Sequence, residues 1–249
     1  MRAVVFDVDG TLVDSERDGH RVAFNLAFEE FGLPYRWDVE EYGRLLRTTG
    51  GQRRIDNYLA EHGVPAAERE TLSPKLHARK TELMSELVEA GTVEVRPGCR
   101  RLLDELAGLH IPLAIATTGS RGWVERLLVR LLPGVTWQAI VCGDEVTHRK
   151  PDPECFLVAL DQLGVGSEHT AVVEDSFEGL EAATRAGLAT AVVVNGYTKD
   201  HDLHAAGLVL DGFGEPGRPA TVLADRAGTG CSGVLRPADL NALVTSGQG

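Results

Sequence analysis

Short apolar runs alternate with longer amphipathic stretches along most of this chain. Strand-like runs occur at 4–8, 112–117, 139–142, 170–174, 189–194 and 208–210. Helical periodicity fills 98–109, 122–132, 153–163 and 177–186 between them. This alternation predicts an α/β fold: a Rossmann-like parallel sheet with helices on both faces. Residues 15–92 break the rhythm and read as helical throughout, over 16–31, 39–47, 53–62 and 66–89. Gly32, Pro34, Gly50-Gly51, Gly63 and Pro65 punctuate them. The expected organisation is therefore a core made of 1–14 and 93–249, interrupted by an all-helical subdomain at 15–92. Its hinges are expected near 13–15 and 92–97. Glycine, proline and small polar residues crowd 212–233, which reads as a mobile loop; 237–244 reads as a short final helix.

A length of 249 residues suits one large domain or a core with an inserted subdomain. The formal net charge of −12 argues against nonspecific binding to nucleic acid or to an anionic membrane surface. No apolar stretch approaches the ~20 residues of a membrane span. The chain opens directly on a strand-like run, so no signal or transit segment is expected. Cys99, Cys142, Cys155 and Cys231 are scattered without CxxC spacing. They read as free thiols of a reducing compartment, and a cytoplasmic monomer is expected.

The polar residues that close the apolar runs carry the candidate chemistry. Asp7 and Asp9 end the first run, and side chains two apart on a strand share a face. Two carboxylates this close repel each other, which a bound cation would relieve. Gly10 then lets the chain turn away. Thr117 ends the run 112–117, and Glu174-Asp175 closes 170–174. Lys150 sits in Arg149-Lys150-Pro151-Asp152-Pro153. Ligands of open α/β sheets bind beyond the strands' carboxyl ends, where Asp7, Thr117 and Asp175 fall. Asp175 or Ser176 can also cap the following helix, which is compatible with a site there.

In this order, Asp7-x-Asp9-x-Thr11, Thr117, Lys150 and Glu174-Asp175 resemble the four motifs of the haloacid dehalogenase-like (HAD) phosphotransferases. The resemblance implies that Asp7 attacks phosphorus and forms an aspartyl-phosphate. Asp9 would serve as general acid and base, with its backbone carbonyl facing a metal. Thr117 would offer its hydroxyl to a phosphate oxygen, and Thr118, Gly119 and Ser120 would complete the phosphate loop before a helix start. Lys150 would pair with Asp7 and the phosphate. The implied cofactor is Mg2+, held by Asp7, Asp9, Glu174 and Asp175. The helical insertion resembles the small cap of one HAD subclass.

Further runs resemble the CbbY-like phosphatases: Asp14-Ser15-Glu16-Arg17-Asp18-Gly19-His20-Arg21, Phe24-Asn25, Tyr42-Gly43-x-Leu45-Leu46, Gly50-Gly51, Lys80-Thr81-Glu82-Leu83, Arg96-Pro97-Gly98, Glu174-Asp175-Ser176 and Gly196-Tyr197-Thr198. That group is associated with removing xylulose-1,5-bisphosphate, so the implied partner is a phosphorylated sugar. A second phosphate needs its own grip. Arg47, Arg53 and Arg54 are candidates, with Gly50-Gly51 as an anion nest. Glu16 and His20, four apart on a helix, and Tyr42 are candidates for sugar contacts or for orienting Asp9. The group commonly has lysine after the paired glycines; this chain has Gln52. The long segment after Asp211 also departs from the pattern. Two other readings stand beside the phosphatase. One is a β-phosphoglucomutase-type phosphosugar mutase. The other is a non-catalytic binding protein that keeps the fold, against which the four intact motifs argue.

Overall fold

The computed structural model describes residues 1–48 and 50–246. Strand β1 (Ala3–Phe6) is apolar and buried at every position. A strand buried on both of its alternating faces belongs inside a sheet that is covered on both sides. After β1 the chain leaves the sheet. Ser15–Glu94 form one compact unit, while Met1–Asp14 and Val95–Gly249 form the other.

The Ser15–Glu94 unit opens with a π-helical turn, Glu16–His20, that runs into α1 (Arg21–Glu30). The expected uninterrupted α-helix over 16–31 is therefore two pieces. Gly19 lies in the wide turn, where a Cβ would come within 2.8 Å of Met84 Cε. Helix α2 (Val39–Leu45) is capped by Asp38, whose carboxylate accepts the Glu41 N–H at 2.8 Å. It ends short of Arg47, which was expected inside it. Helices α3 (Gly51–Glu61) and α4 (Ala66–Glu89) follow, and α4 packs along both α1 and α3. The interior of this unit is aromatic: Phe24, Phe28, Trp37, Tyr42 and Tyr58 meet ring to ring. Asn25 seats Trp37 at two points, donating to its carbonyl and accepting its N–H, both at 2.8 Å.

The chain re-enters the core where Val95 bridges Val13 and the Arg96 N–H bonds the Leu12 carbonyl at 2.9 Å. That pairing moves the second boundary to Glu94/Val95, just past the expected 92/93. Then follow α5 (Cys99–Gly108), β2 (Leu113–Ala116), α6 (Arg121–Leu131), β3 (Ala139–Val141), α7 (Glu154–Leu163) and β4 (Thr170–Glu174). After them come α8 (Phe177–Arg185), β5 (Ala189–Val193), β6 (Leu208–Leu210), β7 (Val222–Asp225) and α9 (Pro237–Ser246). Among the described residues the strands form one sheet in the order β3-β2-β1-β4-β5-β6-β7. Strands β1 to β6 are parallel, with register Val5↔Ala114 and Val5↔Val172 at the centre.

Strand β7 corrects the expectation for 212–233. This glycine-rich segment supplies an antiparallel edge strand, pairing Val209 with Ala224 and Leu208 with Asp225. The Asp225 carboxylate then closes a tight turn by accepting from the N–H groups of Thr229 and Gly230, both at 2.9 Å.

Helices α7 and α8 bury Phe156, Ala159, Ala182 and Ala183 against Val5, Ala114 and Val172 of the sheet. Helix α9 packs on β4 and β5. The chain moves outward from β1 to β2 and β3, then returns to β4 on β1's other side. The carboxyl ends of β1 and β4 thus flank the switch point of the sheet, where such folds bind ligands. No helix among the described residues is long and apolar enough to cross a membrane.

Phe28 is fully buried between Trp37 and Tyr58. Phe28→Ala should cost about 3–5 kcal/mol, read by urea unfolding followed through tryptophan fluorescence. A loss below about 1 kcal/mol would show that this aromatic packing does not hold the helical unit.

Candidate active site

Asp7 directly follows β1, and its N–H still bonds the Val173 carbonyl of β4 at 3.0 Å. Asp9 lies in the turn that follows, where the Gly10 N–H bonds the Val13 carbonyl at 2.9 Å. Neither aspartate is inside the strand, so the turn rather than strand alternation sets their relation. Gly10 has φ +80°, and a Cβ there would come within 2.5 Å of Asp175 Oδ2 and 2.6 Å of Asn195 Nδ2. Only glycine allows the turn to pass so close to the second acidic loop.

Lys150 arrives from the loop between β3 and α7. That loop is tied down by Gly143 N–H to the Gly119 carbonyl (2.8 Å) and Arg149 Nε to the Gly143 carbonyl (3.2 Å). The Glu154 carboxylate also accepts the N–H groups of Thr147 and His148, both at 2.8 Å. The Lys150 ammonium donates to Asp7 Oδ1 at 2.8 Å, Glu174 Oε1 at 2.6 Å and the Ala116 carbonyl at 2.8 Å. All three of its protons are used, and the residue is only 4% exposed. The other oxygen of Glu174 accepts from the N–H groups of Asp175 (2.9 Å) and Ser176 (3.3 Å) and from the Ser176 hydroxyl (3.2 Å). Ser176 caps α8 through the Gly179 N–H, so the cap and the site coexist as expected. A Cβ at Gly179 would overlap Glu174 Oε1, at 1.9 Å.

Asp175 accepts from Thr11 Oγ1 on one oxygen (3.4 Å) and from Asn195 Nδ2 on the other (2.7 Å). Carboxylate oxygens of Asp7, Glu174 and Asp175 all lie within 4.8 Å of one another, and all three residues are buried. Three carboxylates thus face one ammonium. Burial pushes the Asp7 carboxyl up to about 8; Lys150 opposes this, while Glu174 and Asp9 reinforce it. Burial also works against the Lys150 charge, but Asp7 and Glu174 outweigh it and hold the ammonium above the ordinary lysine range. The donor set is all oxygen and is short of positive charge, which fits a hard divalent cation such as Mg2+. The carboxylate of Asp9 is not in this trio; the resemblance assigned it a backbone carbonyl contact.

Thr117 follows β2 and is buried, with its N–H on the Val141 carbonyl at 3.0 Å. Its hydroxyl accepts the Gly119 N–H at 3.1 Å, shaping the Thr118-Gly119-Ser120 turn that leads into α6. A Cβ at Gly143 would come within 2.2 Å of the Thr118 carbonyl, so the turn rests on bare backbone.

The candidates in the helical unit fall into separate groups. The Tyr42 hydroxyl donates to the Glu16 carboxylate. Arg54 donates to the Tyr42 hydroxyl at 3.3 Å and to the Leu45 carbonyl at 3.1 Å. Its guanidinium lies 5.4 Å from the Tyr42 ring centre and 5.9 Å from that of Phe24. Arg54 is therefore buried in a network, apart from Arg47 and Arg53, which are exposed. His20 Nδ1 pairs with Lys80 Nζ at 2.7 Å, and Lys80 stands 4.7 Å from the Phe24 ring centre. Gly50 (φ +90°) precedes α3, and a Cβ on Gly51 would come within 2.9 Å of the His77 ring.

Three residues were not singled out as site residues from sequence: Lys80, Asn195 and Arg96, whose guanidinium bonds the Gly10 carbonyl at 2.6 Å. Lys80 and Arg96 stood only in matched runs, and Asn195 in none. The signal for Asn195 was its position, a polar residue directly after the apolar run 189–194, followed by a Gly-Tyr-Thr turn.

The family model for haloacid dehalogenase-like hydrolases matches residues 1–187. The protein CbbY of Cupriavidus necator is 38% identical, over 88% of this chain and 88% of its own length. The phosphorylated carbohydrates phosphatase of Thermotoga maritima is 34% identical, over 76% of this chain and 82% of its own. The crystal structure of a CbbY variant from Rhodobacter sphaeroides, in complex with xylulose-(1,5)bisphosphate, aligns with a TM-score of 0.78 at 38% identity. It covers 85% of this chain and 94% of that one.

The raised Asp7 value makes a signed prediction for metal-free protein. Between the ordinary 3.8 and about 8, folded Asp7 holds a proton that the unfolded chain has lost. Stability contributed by Asp7 is thus present at low pH and lost as pH rises through that window, with a slope of at most ~1.4 kcal/mol per pH unit. Urea unfolding of EDTA-treated wild type and Asp7→Asn should show the wild type losing ground as pH rises. A pH-independent difference would mean that Asp7 is ionised throughout.

Proposed function

Because the chain belongs to the haloacid dehalogenase-like hydrolases, we propose that it is a magnesium-dependent phosphatase of sugar phosphates, working through a phosphoryl group carried on Asp7. One observation carries this reading most. Asp7 is buried at the carboxyl end of β1, with Lys150 2.8 Å from its oxygen and Glu174 and Asp175 beside it. In the first half-reaction an Asp7 oxygen attacks phosphorus and the phosphorus–sugar oxygen bond breaks. Asp9 gives its proton to the departing sugar oxygen. In the second, Asp9 takes a proton from water as that water attacks the aspartyl-phosphate, releasing inorganic phosphate and restoring Asp7.

Lys150 holds the nucleophile in place and offsets negative charge at the reacting group. Thr117 and the Thr118-Gly119-Ser120 turn, whose Gly119 N–H the Thr117 hydroxyl holds, bind phosphate oxygens next to the start of α6. Mg2+ held by Asp7, Glu174, Asp175 and the Asp9 carbonyl would supply the electrostatic stabilisation that phosphoryl transfer chiefly needs. Burial makes Asp7 a poor nucleophile while protonated, and a divalent cation against the trio favours its ionised form.

We assign substrate choice to the helical unit, and a pentulose bisphosphate as the preferred substrate. The CbbY of Rhodobacter sphaeroides supports this, having been crystallised with xylulose-(1,5)bisphosphate at 38% identity. The exposed Arg47 and Arg53 and the Gly50-Gly51 start of α3 are the anion-binding features of that unit. Gln52 gives this chain one charge fewer than the group commonly has there.

Asp7→Asn is nearly isosteric and should abolish phosphate release from sugar phosphates while leaving the circular dichroism spectrum unchanged. Normal steady-state turnover by this variant would remove Asp7 as nucleophile. Free phosphate released in step with sugar, without any isomeric sugar phosphate, separates hydrolysis from a mutase reaction.

Contacts to charged groups contribute ~1.5–3 kcal/mol each, or about one to two decades in kcat/KM. Arg47→Ala should therefore reduce turnover of xylulose-1,5-bisphosphate by that factor and leave p-nitrophenyl phosphate nearly untouched. Gln52→Lys should shift the ratio the other way. A ratio that stays constant across wild type and both variants would show Arg47 to be a solvated surface group and would leave the bisphosphate assignment without support.

A further inference from the structure

Asn195 lies directly beyond the apolar run of β5, and nothing in the four family motifs calls for it. Its side chain nevertheless donates to the Asp175 carboxylate, Nδ2 to Oδ2 at 2.7 Å. The second amide proton points toward the Gly10 carbonyl, 3.4 Å away. The orientation of this amide is not arbitrary. Asn195 Oδ1 accepts the Tyr197 N–H at 2.8 Å, so the nitrogen must face Asp175. The backbone of the same residue is held as well. Its N–H donates to the Thr198 hydroxyl at 3.0 Å, and its carbonyl accepts from the N–H groups of Thr198 (3.3 Å) and Lys199 (3.1 Å). A side chain with both ends and its backbone occupied has one position, and that position presents a donor to Asp175.

Arg96 braces the other side of this arrangement. Its guanidinium donates to the carbonyls of Gly10 (2.6 Å), Val193 (2.7 Å) and Val194 (2.6 Å). It therefore ties the turn after Asp9 to the end of β5 from which Asn195 projects. Gly10 leaves no room between these groups, since a Cβ would strike both Asp175 and Asn195.

We infer that Asn195 is a positioning residue for the metal-binding carboxylate of Asp175, with Arg96 as its brace. The inference rests on the magnesium reading given above. A carboxylate that accepts a fixed amide proton on Oδ2 has lost rotational freedom and presents its remaining lone pairs in one direction. Groups that orient metal ligands in this way typically change metal affinity ~10–100-fold when removed.

The test is Mn2+ binding by the whole protein without substrate, followed by loss of the free-ion electron paramagnetic resonance signal, with Mg2+ as competitor. Wild type should bind one equivalent, and Asp175→Ala should abolish it. Asn195→Ala should weaken Mn2+ and Mg2+ binding ~10–100-fold, while KM for p-nitrophenyl phosphate at saturating metal stays close to wild type. Asn195→Leu fills the same volume without a donor and should behave alike, which guards against a cavity effect. Thr198→Val loosens the same turn but keeps the amide, and should weaken metal binding less than either Asn195 variant does. Wild-type affinity in Asn195→Ala and Asn195→Leu would overturn the assignment. So would an equal loss in Thr198→Val, because turn integrity rather than the donor would then be responsible. If wild type binds no metal that Asp175→Ala removes, the magnesium reading falls and this assignment falls with it.

Discussion

The structure of the core turns on a buried ammonium. Lys150 cannot leave water without three acceptors, and only the carboxyl ends of neighbouring parallel strands offer them at one point. Asp7 comes from the end of β1, Glu174 from the end of β4 and the Ala116 carbonyl from the end of β2. Taking a charge of this kind out of water costs several kcal/mol, returned only when every proton finds a partner. The three strand ends must therefore be level, which the parallel register around β1 provides. The close packing leaves no space for side chains at Gly10, Gly143 or Gly179, where a Cβ would sit 1.9–2.5 Å from site atoms or backbone.

The same cluster is not arranged for stability alone. Lys150 pairs with Asp7 and Glu174 and Arg96 interacts with Asp175, yet burial still penalises the three carboxylates. Burial accordingly pushes the Asp7 carboxyl up, against the pull of Lys150. A well-compensated pair would have been a better structural element. The deficit is one that a divalent ion against the trio would relieve.

The helical unit solves a different problem with a different material. It has no sheet to pack on, so its interior is a cluster of aromatic rings tied together by α1, α3 and α4. Two cationic side chains, Arg54 and Lys80, are buried against these rings, both within reach of the Phe24 face. The ring quadrupoles and the Tyr42 and His20 contacts offset part of their desolvation. Charge is thereby stored inside this unit on rigid supports, while Arg47 and Arg53 stay in solvent.

The apolar runs by themselves determined the parallel sheet, its crossover helices and the place of Asp7, Thr117, Glu174 and Asp175 at strand ends. A strand buried on both faces has to be continuously apolar, so its first polar residue marks its end and therefore the ligand side of the sheet. Four helices in 15–92 were equally readable from period and breakers. What the pattern left undecided depends on neighbours distant in sequence. The strand β7 exists because the exposed edge of β6 pairs with it, not because Val222–Asp225 is strongly strand-forming. Within the π-helical turn at Glu16–His20, Met84 and Val93 leave room for no side chain at Gly19 without a shift. Arg54 looks like a surface arginine in sequence and is buried because Tyr42 and Leu45 meet it. Asn195 acquires its contact with Asp175 only when β5 lies beside β4 and Gly10 folds between them. Local pattern reports burial, which each residue's own surroundings impose. The pairing of polar atoms requires two segments at once, and that is decided only by the tertiary structure.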